Sequence, residues 1–412
     1  MGSGARQQVA AVVSLTVRLV HLSDLHLGFR QYQRQSPAGI NQREVDVATT
    51  FSRAIDRIIA LEPEVVLLGG DVFHHVRPGN PAIVKAFIEL SKLVNSLPNV
   101  HVVIAAGNHD LPRTTETGCI LSLFARLDRI DVAISEPRQF VYRDLDLTVL
   151  AVPYTVPRPR LTTDPASRYN VMVIHGPVEG VVPRHPGMPE NTGIEIMPDE
   201  LTASDWDYIG LGHYHVYHKV GTNAWYSGSI DYTSSNVWGE LHEQRDAGIK
   251  GKGFIEHDLA TGDHRFHDLE PSRPLVDLRA ISARGLSSAD LDDAMRKSVD
   301  ACAGGIDDKI VRLVVKDAPR HIVRELDHKA LREYRRRAFH FHLDPRRPEV
   351  TRDSAGPPGR RLSLAEVVRD KLQARVLPSD VNREKLVDLG LRYLAEADLL
   401  DAVPAAAGAT DE

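Results

Sequence analysis

The chain has 412 residues, 42% of them hydrophobic and 26% charged, with a formal net charge of -6. That length allows two or three domains at about 150 residues each, and the balance is that of a globular protein with a large core. Its two cysteines, Cys119 and Cys302, lie far apart and in no CxxC pattern, which excludes a disulfide framework and a zinc–thiolate site and fits a reducing cytoplasm.

The apolar run Val9–Val20 is short, broken by polar residues and leads straight into "RLVHLSDLHLG". It reads as the start of the fold rather than as a signal peptide. "MGSGAR" lacks the Ser or Thr expected for myristoylation, and no run is long enough to span a membrane. A cytoplasmic protein without a membrane partner is therefore expected.

From Val17 to Leu269 short apolar runs alternate with longer amphipathic ones. "VRLVHLS", "EVVLLGGD", "HVVIAAGNHD", "LTVLAVPY", "YNVMVIHG" and "DYIGLGHYH" read as buried strands, and Val47–Leu61 and Pro81–Leu97 as helices. This alternation predicts α/β layers over residues 17–269. All these strands except "LTVLAVPY" end in ligand-type residues, at the strand ends where open α/β sheets place their sites.

"LEPSRP" at 269–274 reads as a boundary. Residues 274–345 then predict a small α/β domain. Residues 346–362, rich in Pro, Gly and Arg, read as a linker. Residues 363–401 read as two amphipathic helices, the first opened by a Ser363–Glu366 capping box. The tail "AVPAAAGATDE" is expected to be disordered.

Five segments carry candidate chemistry: "SDLHLG" (Asp24, His26), "GDVFH" (Asp71, His74), "GNHD" (Asn108, His109), "VIHG" (His175) and "GHYH" (His213, His215). Residues two apart share one side of an extended chain, so Asp24 with His26, and His213 with His215, can each reach one ion. Oxygen and imidazole donors without thiolate suit Mn²⁺, Fe²⁺ or Zn²⁺ rather than Ca²⁺ or a structural zinc. Seven ligands exceed one coordination sphere but fit two ions sharing a carboxylate, the arrangement of metal-assisted phosphoester hydrolysis. In "GGDVFHH", spacing alone lets either His74 or His75 face Asp71.

The order D-x-H, GD, GNHD, H, GHxH resembles the motif set of the calcineurin-like metallophosphoesterases. "HLSDLHLGFRQY", "GDVFHH" and "GNHD" resemble, more specifically, the SbcD-type double-strand-break repair nucleases, and "YSGSIDYTS" followed by Glu240 and "KGF" looks like that family's sheet-closing segment. The resemblance implies a β-sandwich flanked by helices, a small α/β capping domain that binds DNA, and C-terminal helices that dock an SMC-like ATPase of the SbcC type. It implies two divalent ions, with Mn²⁺ expected. Asp24, His26 and His215 would hold the first, Asn108, His175 and His213 the second, and Asp71 both. His109 would protonate the leaving oxygen or steady the transition state, and His74 would contact the scissile phosphate. His75 is then a loop residue. The family also implies a homodimer, through helices near Pro81–Leu97 and Gly118–Leu127.

Other residues read less sharply. Asp110 orients His109 or caps the following turn, with nothing to choose between them. His21 reads as a core or supporting residue, His101 as exposed, and His185, His218 and His242 match no motif position. Arg30 and Tyr32 suit packing as well as a place near substrate. Residues 318–347 carry nine Lys/Arg against four acids, a charge suited to backbone phosphates. Arg332, Arg335, Arg336 and Arg337 are its candidate DNA contacts, the alternative being a solvated helix face. No GxxxxGK[ST] motif occurs, so ATP-driven work on DNA ends would need a partner. The expected function is thus a DNA exo/endonuclease subunit. The alternatives are a hydrolase of small phosphodiesters and a non-catalytic scaffold.

Overall fold

The computed structural model describes residues 16–112, 114, 117–155, 158, 160–181, 195–249, 251–348, 363–375 and 382–401. His185, linker residues 349–362 and the tail 402–412 lie outside the described residues. The chain divides into two compact units, residues 1–348 and 349–412.

The first unit opens with β1 (Arg18–Leu22), α1 (Gln42–Leu61), β2 (Val65–Leu68), α2 (Asn80–Ser96), β3 (His101–Ala105), a 3-10 helix (Ile120–Arg126) and β4 (Ile130–Ala133). β5 (Arg138–Tyr142), β6 (Leu147–Val152), β7 (Tyr169–His175), β8 (Tyr208–Gly212), β9 (His218–Lys219) and β10 (Ala224–Tyr226) follow. Then come α3 (Val237–Asp246), β11 (Lys252–Asp258) and β12 (His264–Leu269). These strands form two six-stranded sheets, ordered β12-β11-β1-β2-β3-β4 and β5-β6-β7-β8-β10-β9. In the first, β11 returns from late in the chain to pair antiparallel with β1, and β1 to β4 are parallel.

The central strands read as unbroken apolar runs because both of their faces are covered. Leu19, Leu67, Val103, Val149, Val173 and Ile255 fill the space between the sheets. Val20, Val66, Leu68 and Ile104, on the other face of the first sheet, pack with Phe51, Ile55 and Leu90 from α1 and α2. Met172, Ile174, Ile209 and Leu211 cover the outer face of the second with Trp206. The result is a mixed α/β sandwich flanked by helices, the fold class expected for residues 17–269.

Several details differ from expectation. α1 starts at Gln42, not Val47, with Asn41 accepting from the Arg43 N–H as its cap. Its first turn is polar in sequence but buried: Arg43 pairs with Asp46 and Asp231. The segment near Gly118–Leu127 forms only the short 3-10 helix. His101 is not exposed; it stacks on Tyr142 at 4.1 Å and faces Asp144.

β13 (Leu275–Ser282), α4 (Ser288–Asp300), β14 (Ile310–Lys316), α5 (Arg320–Arg324), α6 (His328–Arg337) and β15 (His340–Pro345) build a third, all-parallel sheet, β13-β14-β15. Its core holds Leu291, Met295, Leu313, Leu331 and Phe341. Arg273 ties it to α1, bonding Asp46 at 2.8 Å and lying 4.0 Å over the Phe339 ring. Tyr32 stacks on His340 at 4.0 Å, and Arg34 donates to the Ala338 carbonyl at 2.7 Å. Tyr32 is thereby a packing residue.

In the second unit α7 (Leu364–Ala374) and α8 (Arg383–Asp401) lie against each other, with Gly390 seated on Leu372 and Val368. Ser363 and Glu366 form the reciprocal capping box. No described helix is long and apolar enough to cross a membrane.

Candidate metal centre

The loops that leave β1, β2, β3, β7 and β8 meet at one rim of the sandwich, and each delivers donors there. Asp24 Oδ1 lies 4.0 Å from His26 Nε2 and 3.7 Å from His215 Nε2. Asp71 Oδ2 lies 3.7 Å from His26 Nε2 and 3.6 Å from His175 Nε2. Asn108 Oδ1 lies 3.1 Å from both His175 Nε2 and His213 Nδ1. His213 and His215, expected from spacing to reach one ion together, thus face different groups.

The backbone achieving this is not the extended chain the spacing suggested. Asp24, His26, Asp71 and His213 all have positive φ, at 53°, 46°, 51° and 107°. Such conformations cost non-glycine residues about 1–3 kcal/mol each and persist only where surrounding structure imposes them. Gly70 and Gly107 permit the crowding. A Cβ on Gly70 would collide with His175 Nδ1, and one on Gly107 with Asp71.

The donor set has the electrostatics of a cation site. Asp24 Oδ1 is buried without a hydrogen-bond partner, a cost that a bound cation would remove. His175 Nδ1 sits 2.6 Å from the Gly69 carbonyl, so that nitrogen carries the proton. Its Nε2 then offers a lone pair to Asn108 Oδ1, itself an acceptor. His26 Nε2 and His215 Nε2 lie 3.1 Å apart. Burial, then neighbouring imidazoles, holds His26 well below the ordinary histidine range and takes His213 to about 3. Both therefore keep their lone pairs at neutral pH. Burial, with Asp24 and Asp110 close by, pushes the Asp71 carboxyl well above the usual range. Carboxylates and imidazoles crowded in this way fit divalent cations, which neutralise such crowding.

His74 and His109 border this set, their rings stacked 5.3 Å apart. His109 donates from its backbone N–H to Asp71 Oδ1 at 2.8 Å, and its Nδ1 sits 2.8 Å from the His74 carbonyl. The Asp110 carboxylate accepts from the backbone N–H groups of Gly107, Val72 and Phe73 at 3.0–3.2 Å. It fastens the GNHD loop to the GGDVFHH loop and does not orient His109. His75 is exposed. His21 is fully buried between the sheets and bonds the Tyr208 hydroxyl.

Two groups of site residues escaped the sequence reading. Tyr154, after the strand whose end seemed featureless, sits with its ring 6.0 Å from His175 and 6.1 Å from His213. Glu240 and Lys252 form a buried ion pair beside His215. Burial opposes ionisation of Glu240, but Lys252 and His215 outweigh it and hold its carboxyl at about 2. The quoted Glu240 and "KGF" were the available signal; that they converge on His215 depends on the return of β11.

The four candidate DNA arginines lie on α6, away from these donors in sequence. Arg336 is bidentate to Glu333 and Arg337 to Asp307, while Arg332 and Arg335 are exposed.

Residues 17–217 match the family described as calcineurin-like phosphoesterase, a span containing all seven donors with His74 and His109. Among curated proteins the chain is similar to "DNA double-strand break repair protein Mre11" of Methanococcus maripaludis, 26% identical across 62% of this chain and 66% of the relative. The protein of the same name from Methanocaldococcus jannaschii is 27% identical over 61% of the chain and 65% of its own length. That from Methanopyrus kandleri is 25% identical over 73% and 65%. The chain thus spans slightly less than two thirds of the length of these relatives. Residues 17–217 thus match the calcineurin-like phosphoesterase family, and the chain is similar to proteins named Mre11.

Proposed function

We propose that this chain is a divalent-metal-dependent phosphodiester hydrolase acting on DNA, the exo/endonuclease subunit of an SbcCD-like repair complex. The observation that carries the reading is the meeting of seven lone-pair donors from five strand ends, among them Asp24 Oδ1, a buried carboxylate oxygen without a partner. The relatives named as DNA double-strand-break repair proteins support DNA as the substrate.

In this reading Asp24, His26 and His215 hold one ion, Asn108, His175 and His213 the other, and Asp71 both, with Mn²⁺ as the ion. Such a pair, when bound, would supply a nucleophilic water of lowered pKa and charge stabilisation for the attacking and leaving oxygens. His74 contacts the scissile phosphate. His109 presents Nε2 to the leaving oxygen, its ring held by the His74 carbonyl.

Residues 17–269 then form the nuclease domain and 274–345 a capping domain that tracks DNA. Residues 346–362 are a linker, and the helices of 363–401 dock an SMC-like ATPase of the SbcC type. Exposed Leu364, Leu389 and Tyr393 suit that docking. Arg332 and Arg335 offer free charge to phosphates. Arg336 and Arg337 would first release surface carboxylates, Glu333 and Asp307, whose solvent-exposed pairing holds them only weakly. Val84, Phe87, Ile88 and Leu123 are exposed on α2 and the 3-10 helix, and an apolar patch of this kind suits a homodimer. A DNA substrate would place the protein at the nucleoid.

The test offers purified protein with Mn²⁺, with and without its ATPase, linear duplex DNA, single-stranded DNA and a generic bis-phosphodiester. Metal-dependent degradation of DNA is expected. Hydrolysis of the small ester alone, with the ATPase present, would replace this reading by that of a small-molecule phosphodiesterase.

A further inference from the structure

His175 is oriented by a backbone carbonyl, but nothing of that kind faces His215. Its Nδ1 is buried without a hydrogen-bond partner and points toward Glu240 Oε1 at 3.8 Å. We propose that the segment from Ser229 to Lys252 is a positioning clamp for His215, with Glu240 setting the ring's tautomer and orientation, and thereby the affinity of the Asp24–His26–His215 group for its cation.

The clamp grips His215 at two places. Its backbone carbonyl accepts from Lys252 Nζ at 2.7 Å and from the Ser229 N–H at 3.1 Å, which fixes the loop after β8. Its ring faces a carboxylate that cannot turn away. Glu240 accepts from Ser229 Oγ at 3.2 Å and Ser234 Oγ at 2.7 Å, and pairs with Lys252. Glu240 sits in the first turn of α3, whose Asn236 cap anchors that turn. The side chains of Glu240 and Lys252 are 5% and 1% exposed, so water is poorly placed to replace either.

A carboxylate beside the far nitrogen of an imidazole keeps the proton on that nitrogen and turns the other lone pair toward the ion. Loss of such a partner typically weakens metal binding 10–100-fold. Because Glu240 addresses His215 and none of the Asn108–His175–His213 donors, its loss should be felt by one ion and not by the other. The inference rests on the proposed reading of the centre as a two-ion site.

The full chain is titrated with Mn²⁺ alone, no DNA present, following free Mn²⁺ by electron paramagnetic resonance and the fold by circular dichroism. Wild type is expected to bind two ions. Glu240→Gln should bind one of them about 10–100-fold more weakly and leave the other unchanged. Glu240→Gln leaves Lys252 buried without its carboxylate. The double variant Glu240→Gln/Lys252→Met removes that charge, so it should stay folded and still weaken the same ion. Unchanged binding of both ions by the folded double variant overturns the clamp, as does equal weakening of both. A wild-type chain that binds no divalent ion overturns this inference together with the metal-centre reading, whereas normal wild-type binding with an unaffected double variant overturns the clamp alone.

Discussion

His109 and Asp110 adjoin in sequence but bond different partners, and their replacement should separate chemistry from architecture. His109→Ala keeps the backbone N–H that bonds Asp71 and removes only the ring, which on the proposed reading meets the substrate. Cleavage should fall about 10²–10⁴-fold, the usual contribution of a positioned acid or base, while elemental analysis still finds two ions per chain. Loss of metal would show that the ring is itself a ligand. Asp110→Ala leaves three buried N–H donors without an acceptor, each worth about 1–3 kcal/mol. A stability loss of roughly 3 kcal/mol or more is expected by urea denaturation, and a wild-type midpoint would contradict the loop-fastening role. At this scale the donors were legible, because their residue types are unusual at strand ends. Their geometry was not. The left-handed backbone of Asp24, His26 and Asp71 is imposed by bonds to distant loops, such as Asp24 N–H to Gly70 O and His26 N–H to Asp71 O, and no residue's own preference announces it. Only Gly70 and Gly107 hinted that the chain would be crowded there.

Among the elements, long strands and helices with continuous apolar patterning were legible, while those created by their partners were not. β9 and β10 hold two and three residues and exist because β8 offers an edge. The first turn of α1 reads as polar surface, yet it is buried because Asp231 arrives there with a matching charge. Arg43 donates to the Asp231 carboxylate at 2.9 Å and to the Tyr232 carbonyl at 3.0 Å. Arg43→Met should therefore destabilise the chain by about 3–5 kcal/mol, the penalty for stranding a buried partner charge. Asp46 would suffer less, since Arg273 also holds it. Equilibrium denaturation of Arg43→Met and Arg43→Met/Asp231→Leu checks this: the double variant should recover much of the loss, and no recovery would mean that packing, not charge, dominates.

Across the whole molecule, the sandwich interior carries titratable groups where apolar ones would be expected. Burial lowers His21 to about 3, and His257 and His264 to about 4. A histidine depressed in the folded state favours folding above its unfolded pKa of about 6.5 and loses that contribution as the pH falls toward the folded value. Stability should thus decline between roughly pH 6.5 and pH 4, and His257→Phe should flatten the decline in a pH series of thermal midpoints. An unchanged slope would remove His257 from the account. The candidate centre has a mechanical consequence of its own. Asp24, His26, Asp71 and Asn108 follow strands of one sheet, while His175 ends a strand of the other and His213 and His215 follow one. Ions gripped from both sides would rivet the two halves of the sandwich along one seam, bridging positions as far apart in sequence as His26 and His215, 189 residues. Holding Mn²⁺ at a hundred times its dissociation constant should add about 2.7 kcal/mol per independent site. Chelation should unfasten that rim first, seen as faster amide exchange at the ends of β1 and β8 while the far end of the sandwich stays closed.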